Sequence, residues 1–197
     1  DLTKREVAAE GRRLGLLPHH LAESQDLCFI PDGDYVAFLR RQCPDLLPGD
    51  GDIVDTQGHV RGRHHGAYGF TVGQRRGLGL GGGPWYVVRT EACTNRVVVG
   101  TRLEASAREV LLGDVNWVCH PPPPGTRFTA LAQVRYAMDP APVTVEVLAA
   151  GGARLSFAAP VHAVTPGQFA VICTEDEVLA GGWIRDAAGL TAAGEEP

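Results

Sequence analysis

Glycine and proline interrupt this sequence 25 and 14 times in 197 residues, and from Gly49 onward the interruptions fall between short apolar runs. A chain punctuated in this way favours short strands and tight turns over long helices. Residues 52–55 and 59–61 flank Thr56-Gln57-Gly58 and predict a hairpin with glycine in its turn. Residues 68–72, 85–89 and 96–99 continue the strand pattern, the last two joined across residues 91–95.

A second β region follows residue 105. Residues 110–119 predict a strand, and residues 121–124, all proline, a stiff extended connector that cannot enter a sheet interior. Along residues 127–136, Phe128, Ala130, Ala132, Val134 and Tyr136 share one face and Thr129, Gln133 and Arg135 the other, so Arg135 is expected to point away from the core. Residues 143–148 and 154–157 predict a hairpin around Gly151-Gly152. Thr165-Pro166-Gly167-Gln168 has the chemistry of a type II turn and delivers Gln168 at a strand start. Residues 169–173 and 178–184 bring the count to about six strands, a spacing that suggests a small closed barrel. After Ala187 the apolar pattern lapses and a tail is expected.

The first part of the chain reads differently. Thr3 and Glu6 form a capping box, with Leu2 and Val7 placed as a hydrophobic staple, so a helix is expected to about Leu14, stopped by Gly15 and Pro18. Asp32-Gly33-Asp34 offers N-caps for a second helix carrying Tyr35, Phe38 and Leu39 on one face and ending before Pro44. The fold class that follows is mainly β with two short N-terminal helices, a small central β domain and a C-terminal six-stranded β-barrel. The expected divisions are 1–31, 32–105, 106–186 and a tail at 187–197.

Several function classes are disfavoured. No run of roughly 18 apolar residues and no charged-then-apolar leader occurs, so neither a membrane span nor a secretory signal is expected and a cytoplasmic protein is the default. The cysteines at 28, 43, 93, 119 and 173 form no close pair and no ligand spacing with histidine, so no metal site is expected. Asp32-Gly33-Asp34 lacks the further oxygen ligands of a calcium loop. Gly77, Gly79 and Gly82 make a formal Gly-x-Gly-x-x-Gly, but Gly83-Pro84 and a strand follow where dinucleotide binding needs a helix N-terminus.

A formal net charge of −5 argues against a uniformly basic nucleic-acid binder. From Thr56 to Thr90, however, no acidic residue occurs, while Arg61, Arg63, Arg75, Arg76 and Arg89 accompany His59, His64 and His65. The stretch from Gly73 to Gly83 is expected to be a flexible basic loop whose bare backbone approaches a bulky anion, with Arg75 and Arg76 on its phosphates. Cys28, at the tip of Ser24-Gln25-Asp26-Leu27-Cys28-Phe29-Ile30-Pro31, is a candidate reactive thiol, although a cysteine beside Phe29 and Ile30 also suits a small buried hydrophobe.

In order along residues 2–184, the Cys28 segment, Gly66, Thr71-Val72-Gly73-Gln74-Arg75-Arg76-Gly77-Leu78-Gly79, Trp85-Tyr86-Val87, Arg135-Tyr136, Thr165-Pro166-Gly167-Gln168 and Gly181-Gly182 resemble the C-terminal portion of the tRNA-specific 2-thiouridylase family. The resemblance implies an enzyme that replaces O2 of a wobble uridine with sulfur, using ATP with Mg to activate the base and a protein persulfide to deliver sulfur. It implies that Cys28 carries the persulfide, with a disulfide partner in an N-terminal ATP-pyrophosphatase domain. It also implies that Arg135, Tyr136 and Gln168 touch tRNA, next to Gln74, Arg75 and Arg76 of the basic loop. Partners expected on this basis are tRNA, a sulfur-donor protein and the ATP-binding domain of the same parent chain. The family's Ser-Gly-Gly-Val-Asp-Ser phosphate loop does not occur, and the sequence starts at Asp1. A piece of a longer protein is therefore expected, inactive alone and holding no ATP. Two other readings compete: a stand-alone RNA-binding barrel without catalysis, and a structural domain that touches no RNA.

Overall fold

The computed structural model describes residues 2–16, 30, 33–136 and 138–189. Its contacts divide the chain into two units, one ending at Leu46 and one starting at Leu47. In the first, helix α1 (Lys4–Arg13) starts on the expected capping box: Thr3 N–H donates to Glu6 Oε2 at 2.7 Å, and Glu6 N–H to Thr3 Oγ1 at 3.4 Å. Helix α2 (Tyr35–Gln42) is capped by Asp34, whose Oδ1 accepts from Ala37 N–H at 2.9 Å. Both caps satisfy amides that an α-helix leaves open in its first turn.

The second unit contains all ten strands of the described residues. β1 (Gly51–Asp55) and β2 (Val60–His64) form the predicted hairpin, and β3 (Tyr86–Glu91) and β4 (Arg96–Gly100) form another. β1 and β4 then pair in parallel, Ile53 opposite Val97 and Asp55 opposite Val99, giving a sheet of order β2-β1-β4-β3. Ile53, Leu78, Val87, Val97 and Val99 are buried on its core face, with Phe70, Leu80 and Trp85 against them. The expected strand at 68–72 does not form. Residues Ala67–Gly69 make a turn of 3-10 helix, because Ala67 and Phe70 pack onto the sheet face and Phe70 meets His64 edge-on at 5.4 Å, which takes the segment off the ladder.

β5 (Ser106–Trp117), β6 (Arg127–Gln133), β7 (Ala141–Val147), β8 (Ala153–His162), β9 (Phe169–Cys173) and β10 (Val178–Gly189) close into a barrel of order β10-β5-β8-β7-β6-β9. Every second residue points in: Val143, Val145 and Val147 on β7 are buried, and Thr144 between them is exposed. Val110, Leu155, Ile172, Ala180 and Ile184 fill the interior, as a six-stranded barrel is too narrow to enclose anything but its own side chains.

Two expectations about strand ends are corrected. β6 stops at Gln133, whose register partner on β9 is Val171, and its last partner on β7 is Ala141, opposite Ala132. No strand lies opposite residues 134–136, so the alternation stops meaning anything there. Val134 is buried as expected, but Tyr136 is 98% exposed and not on the core face. β10 runs on to Gly189, past the point where the apolar pattern lapses, because Asp186, Ala187 and Ala188 still pair with Leu111, Val110 and Glu109. The backbone ladder carries the strand where side chains give no sign of it.

Candidate functional site

The basic stretch is built around one carboxylate. Asp55 ends β1 with its side chain only 9% exposed. It accepts from the backbone N–H of Gln57 and His59 at 3.0 and 2.9 Å and from Arg61 Nη2 at 2.7 Å, with His59 Nδ1 3.2 Å away. Burial raises its pKa, but the His59 amide, the Arg61 guanidinium, the Gln57 amide and the His59 ring outweigh that and bring it from 3.8 to about 2. Arg61 also lies over the Trp85 ring, 5.5 Å from its centre. Elsewhere Arg89 pairs with Glu91 and His65 with Asp50. Much of the positive charge is therefore neutralised in place.

Because the folded state lowers the Asp55 pKa, its contribution to stability is complete above about pH 3.8 and is lost as pH falls towards about 2. Asp55→Asn should therefore lower the melting temperature at neutral pH, and the gap from wild type should close as the solution is acidified through that window. A gap that does not change with pH would show that the carboxylate's charge is not what holds the turn.

The glycine-rich loop is pinned, contrary to the expected flexible segment. Leu78 is buried in the sheet's core beside Leu80 and Trp85, and Trp85 Nε1 donates to Gly81 O at 2.9 Å. Gln74 Oε1 accepts from Thr71 N–H at 3.0 Å, and its Nε2 donates to Arg76 O at 2.9 Å. Backbone bonds Gly73 N–H to Val87 O and Val87 N–H to Gln74 O fasten the loop to β3. Arg75 and Arg76 are left exposed, and neither has an ion-pair partner among the described residues. The leucines between the glycines are the sequence signal for this anchoring. The loop runs into β3 and not into a helix, so the Gly77, Gly79, Gly82 pattern offers no helix N-terminus to a nucleotide phosphate, and these residues do not fit ATP.

On the barrel, Arg135 and Tyr136 lie in the β6–β7 connection. Gln133 clamps it, its Nε2 donating to Tyr136 O at 3.0 Å and Met138 O at 2.7 Å. The Tyr136 ring stands in solvent. Arg135 does not point freely away from the core: it is half-buried, and its Nε is covered without a hydrogen-bond partner among the described residues. It lines a groove of about 470 Å³ together with Arg102, Met138, Pro142, Pro160 and His162.

Gln168 is exposed after the predicted turn: Gly167 has φ +85°, and Gln168 N–H donates to Thr165 O at 3.2 Å. Beside it Phe169 and Trp183, both about half exposed, meet edge to face at 5.2 Å. Sequence reading passed over Arg102, His162 and this aromatic pair, which belong to no motif.

Cys28 and its segment, apart from the buried Ile30, lie outside the described residues. The four described cysteines are free thiols: Cys43 and Cys173 half-buried, Cys93 and Cys119 exposed. Among the described residues no three histidine, cysteine or acidic side chains come together to hold a metal ion, and no helix is long and apolar enough to cross a membrane.

Comparison with known proteins follows the same division. Residues 37–101 match the tRNA methyl transferase PRC-barrel domain, and residues 107–184 match the aminomethyltransferase beta-barrel domain. The chain is thus of the class that joins these two β modules, the first match covering the four-stranded sheet and the second nearly all of the closed barrel. It is 43% identical over 185 residues to the tRNA-specific 2-thiouridylase MnmA of Magnetococcus marinus, which covers 93% of this chain and 51% of that protein. It is 44% identical over 186 residues to the protein of the same name from Geobacter metallireducens, covering 93% and 49%. With the one from Rhizorhabdus wittichii it shares 44% over 183 residues, covering 92% and 45%. Over more than nine-tenths of its length the chain is similar to members of the tRNA-specific 2-thiouridylase family, and it spans about half the length of the curated relatives it matches.

Proposed function

We propose that this chain is the tRNA-holding half of a cytoplasmic tRNA sulfurtransferase that makes 2-thiouridine. In this reading an N-terminal ATP-pyrophosphatase domain of the same parent binds ATP with Mg, Cys28 carries sulfur as a persulfide loaded by a donor protein, and the chain alone forms no thiouridine. The barrel and the pinned loop grip the tRNA. Arg135, Tyr136 and Gln168 are its contacts on the barrel, and Arg75 and Arg76 meet phosphates from the loop. Gln74 contributes by shaping the loop that holds those arginines outward, since both ends of its amide are engaged within it.

The observation that carries the reading is the β6–β7 connection. It fixes a fully solvated tyrosine next to a cation whose buried Nε lacks a partner. An aromatic face and an unsatisfied guanidinium, side by side, suit a base and its phosphate. A stand-alone RNA-binding module would use the same surface without needing Cys28.

The two residues should fail differently when tRNA binding is measured at several salt concentrations. Arg135→Ala should lower affinity about tenfold and make the salt dependence shallower by about one unit of log–log slope. Tyr136→Ala removes stacking worth about 1–3 kcal/mol per base. It should therefore weaken binding without changing the slope. Wild-type affinity and slope in both variants would overturn the reading.

A further inference from the structure

The groove beside Arg135 brings together residues far apart in sequence. Arg102 comes from the connection between β4 and β5, Arg135 from that between β6 and β7, and His162 from the end of β8. β5 and β8 pair there with Ser106 opposite His162, and Ser106 Oγ donates to Arg102 O at 2.7 Å, which ties the Arg102 backbone to the groove wall. Among the described residues, no acidic side chain lines this groove. A second cavity, of about 300 Å³, lies between sheet and barrel and has Glu104 and Asp186 in its wall beside Arg89, so its charge is balanced.

Among the described residues, Arg135 Nε and His162 Nδ1 at the first groove are covered and without hydrogen-bond partners. His162 is also held below its ordinary pKa, first by burial and then by the charge of Arg102, against the pull of backbone groups at Arg102 and Gly73, with Arg135 adding to the lowering. Two guanidinium side chains and the His162 ring thus line one groove. The remaining walls, Met138, Pro142, Pro160 and Val161, are apolar and lower the local dielectric, which strengthens attraction for an anion.

We propose that Arg102 and His162, with Arg135, form a seat for one phosphodiester group of the RNA backbone, next to the base face offered by Tyr136. The seat rests on the tRNA-holding reading of the barrel and adds two residues to it. A phosphodiester carries acceptor oxygens for the guanidinium groups of this groove and the single negative charge that two of them favour. The apolar wall accommodates the sugar.

The test is tRNA binding by the full chain at several salt concentrations, with Arg102→Ala, Arg102→Lys and His162→Phe compared with wild type. Arg102 is exposed and its removal should leave the melting temperature unchanged. Arg102→Ala should lower affinity about five- to tenfold and make the log–log slope shallower by about 0.7 to 0.9, one phosphate contact. Arg102→Lys should keep the slope, and His162→Phe should lower affinity about threefold by removing the polar ring nitrogens from the groove. If wild type binds tRNA and Arg135→Ala weakens it, yet Arg102→Ala and His162→Phe match wild type in affinity and slope, the seat is overturned and the tRNA-holding reading survives. If wild type binds no tRNA, both fall.

Discussion

Cys28→Ser, placed in the whole parent enzyme, should abolish formation of 2-thiouridine while leaving tRNA affinity within about twofold of wild type. The asymmetry follows from the chemistry. A persulfide needs a sulfur atom to carry the outer sulfur, and a serine hydroxyl, with no thiolate form, can neither accept nor release it. In the proposed reading, binding rests on cations and aromatic faces of the barrel and loop, and Cys28 is none of these. Cys43 and Cys173 are half-buried and Cys93 and Cys119 exposed, and since none of the four lies in the Cys28 motif, none is expected to stand in. Assay of nucleosides from tRNA incubated with the variant, ATP and a sulfur donor checks this. Undiminished thiouridine would remove Cys28 from the reaction.

The second large effect is structural and sits where loop meets barrel. Gly73 has φ +84°, and a Cβ built there would overlap the Cβ of Ala163 next to His162. Gly73→Val therefore combines a left-handed backbone that a β-branched residue rarely adopts with a clash against a fixed strand end. Together these should cost about 3–5 kcal/mol, a large part of the total stability of such a domain. Gly79 is the control: φ is +65°, but open space surrounds its Cβ position, so Gly79→Ala should cost only about 1 kcal/mol. Thermal denaturation of both variants separates strain from clash. Equal melting temperatures would mean that the loop does not depend on its approach to Ala163. Gly73→Val should also weaken tRNA binding, because Arg75, Arg76 and the His162 edge of the groove shift together.

Much of this fold was legible where side-chain alternation and turn chemistry coincide. Val143 to Val147 alternates, Gly167 supplies the positive φ of its turn, and Thr3 with Glu6 closes the first helix start. The misreadings came where backbone pairing and side-chain pattern part company. Tyr136 continued an alternation after its partner strands had ended, and β10 continued a ladder after its apolar pattern had ended. Tyr68 and Phe70 looked like a strand but belong to a segment packed on a sheet face. In the glycine-rich loop, the count of glycines hid the two leucines that pin it.

The candidate site was legible in pieces. Arg135, Tyr136 and Gln168 stand in short motifs that can be read along the chain, whereas Arg102 and His162 meet only because β5 pairs with β8, and nothing in their local sequence marks either. Parallel pairing of β1 with β4 was likewise invisible, since it joins residues more than forty positions apart through two hairpins.

The central claim is the proposal that this chain holds tRNA, and the wild-type titration tests it most directly. Residues 1–197 should bind an in vitro transcribed tRNA at low salt despite a net charge of −5, with log affinity falling linearly against log salt concentration as phosphate contacts release counterions. Absence of binding at low salt, or an affinity indifferent to salt, would contradict the account.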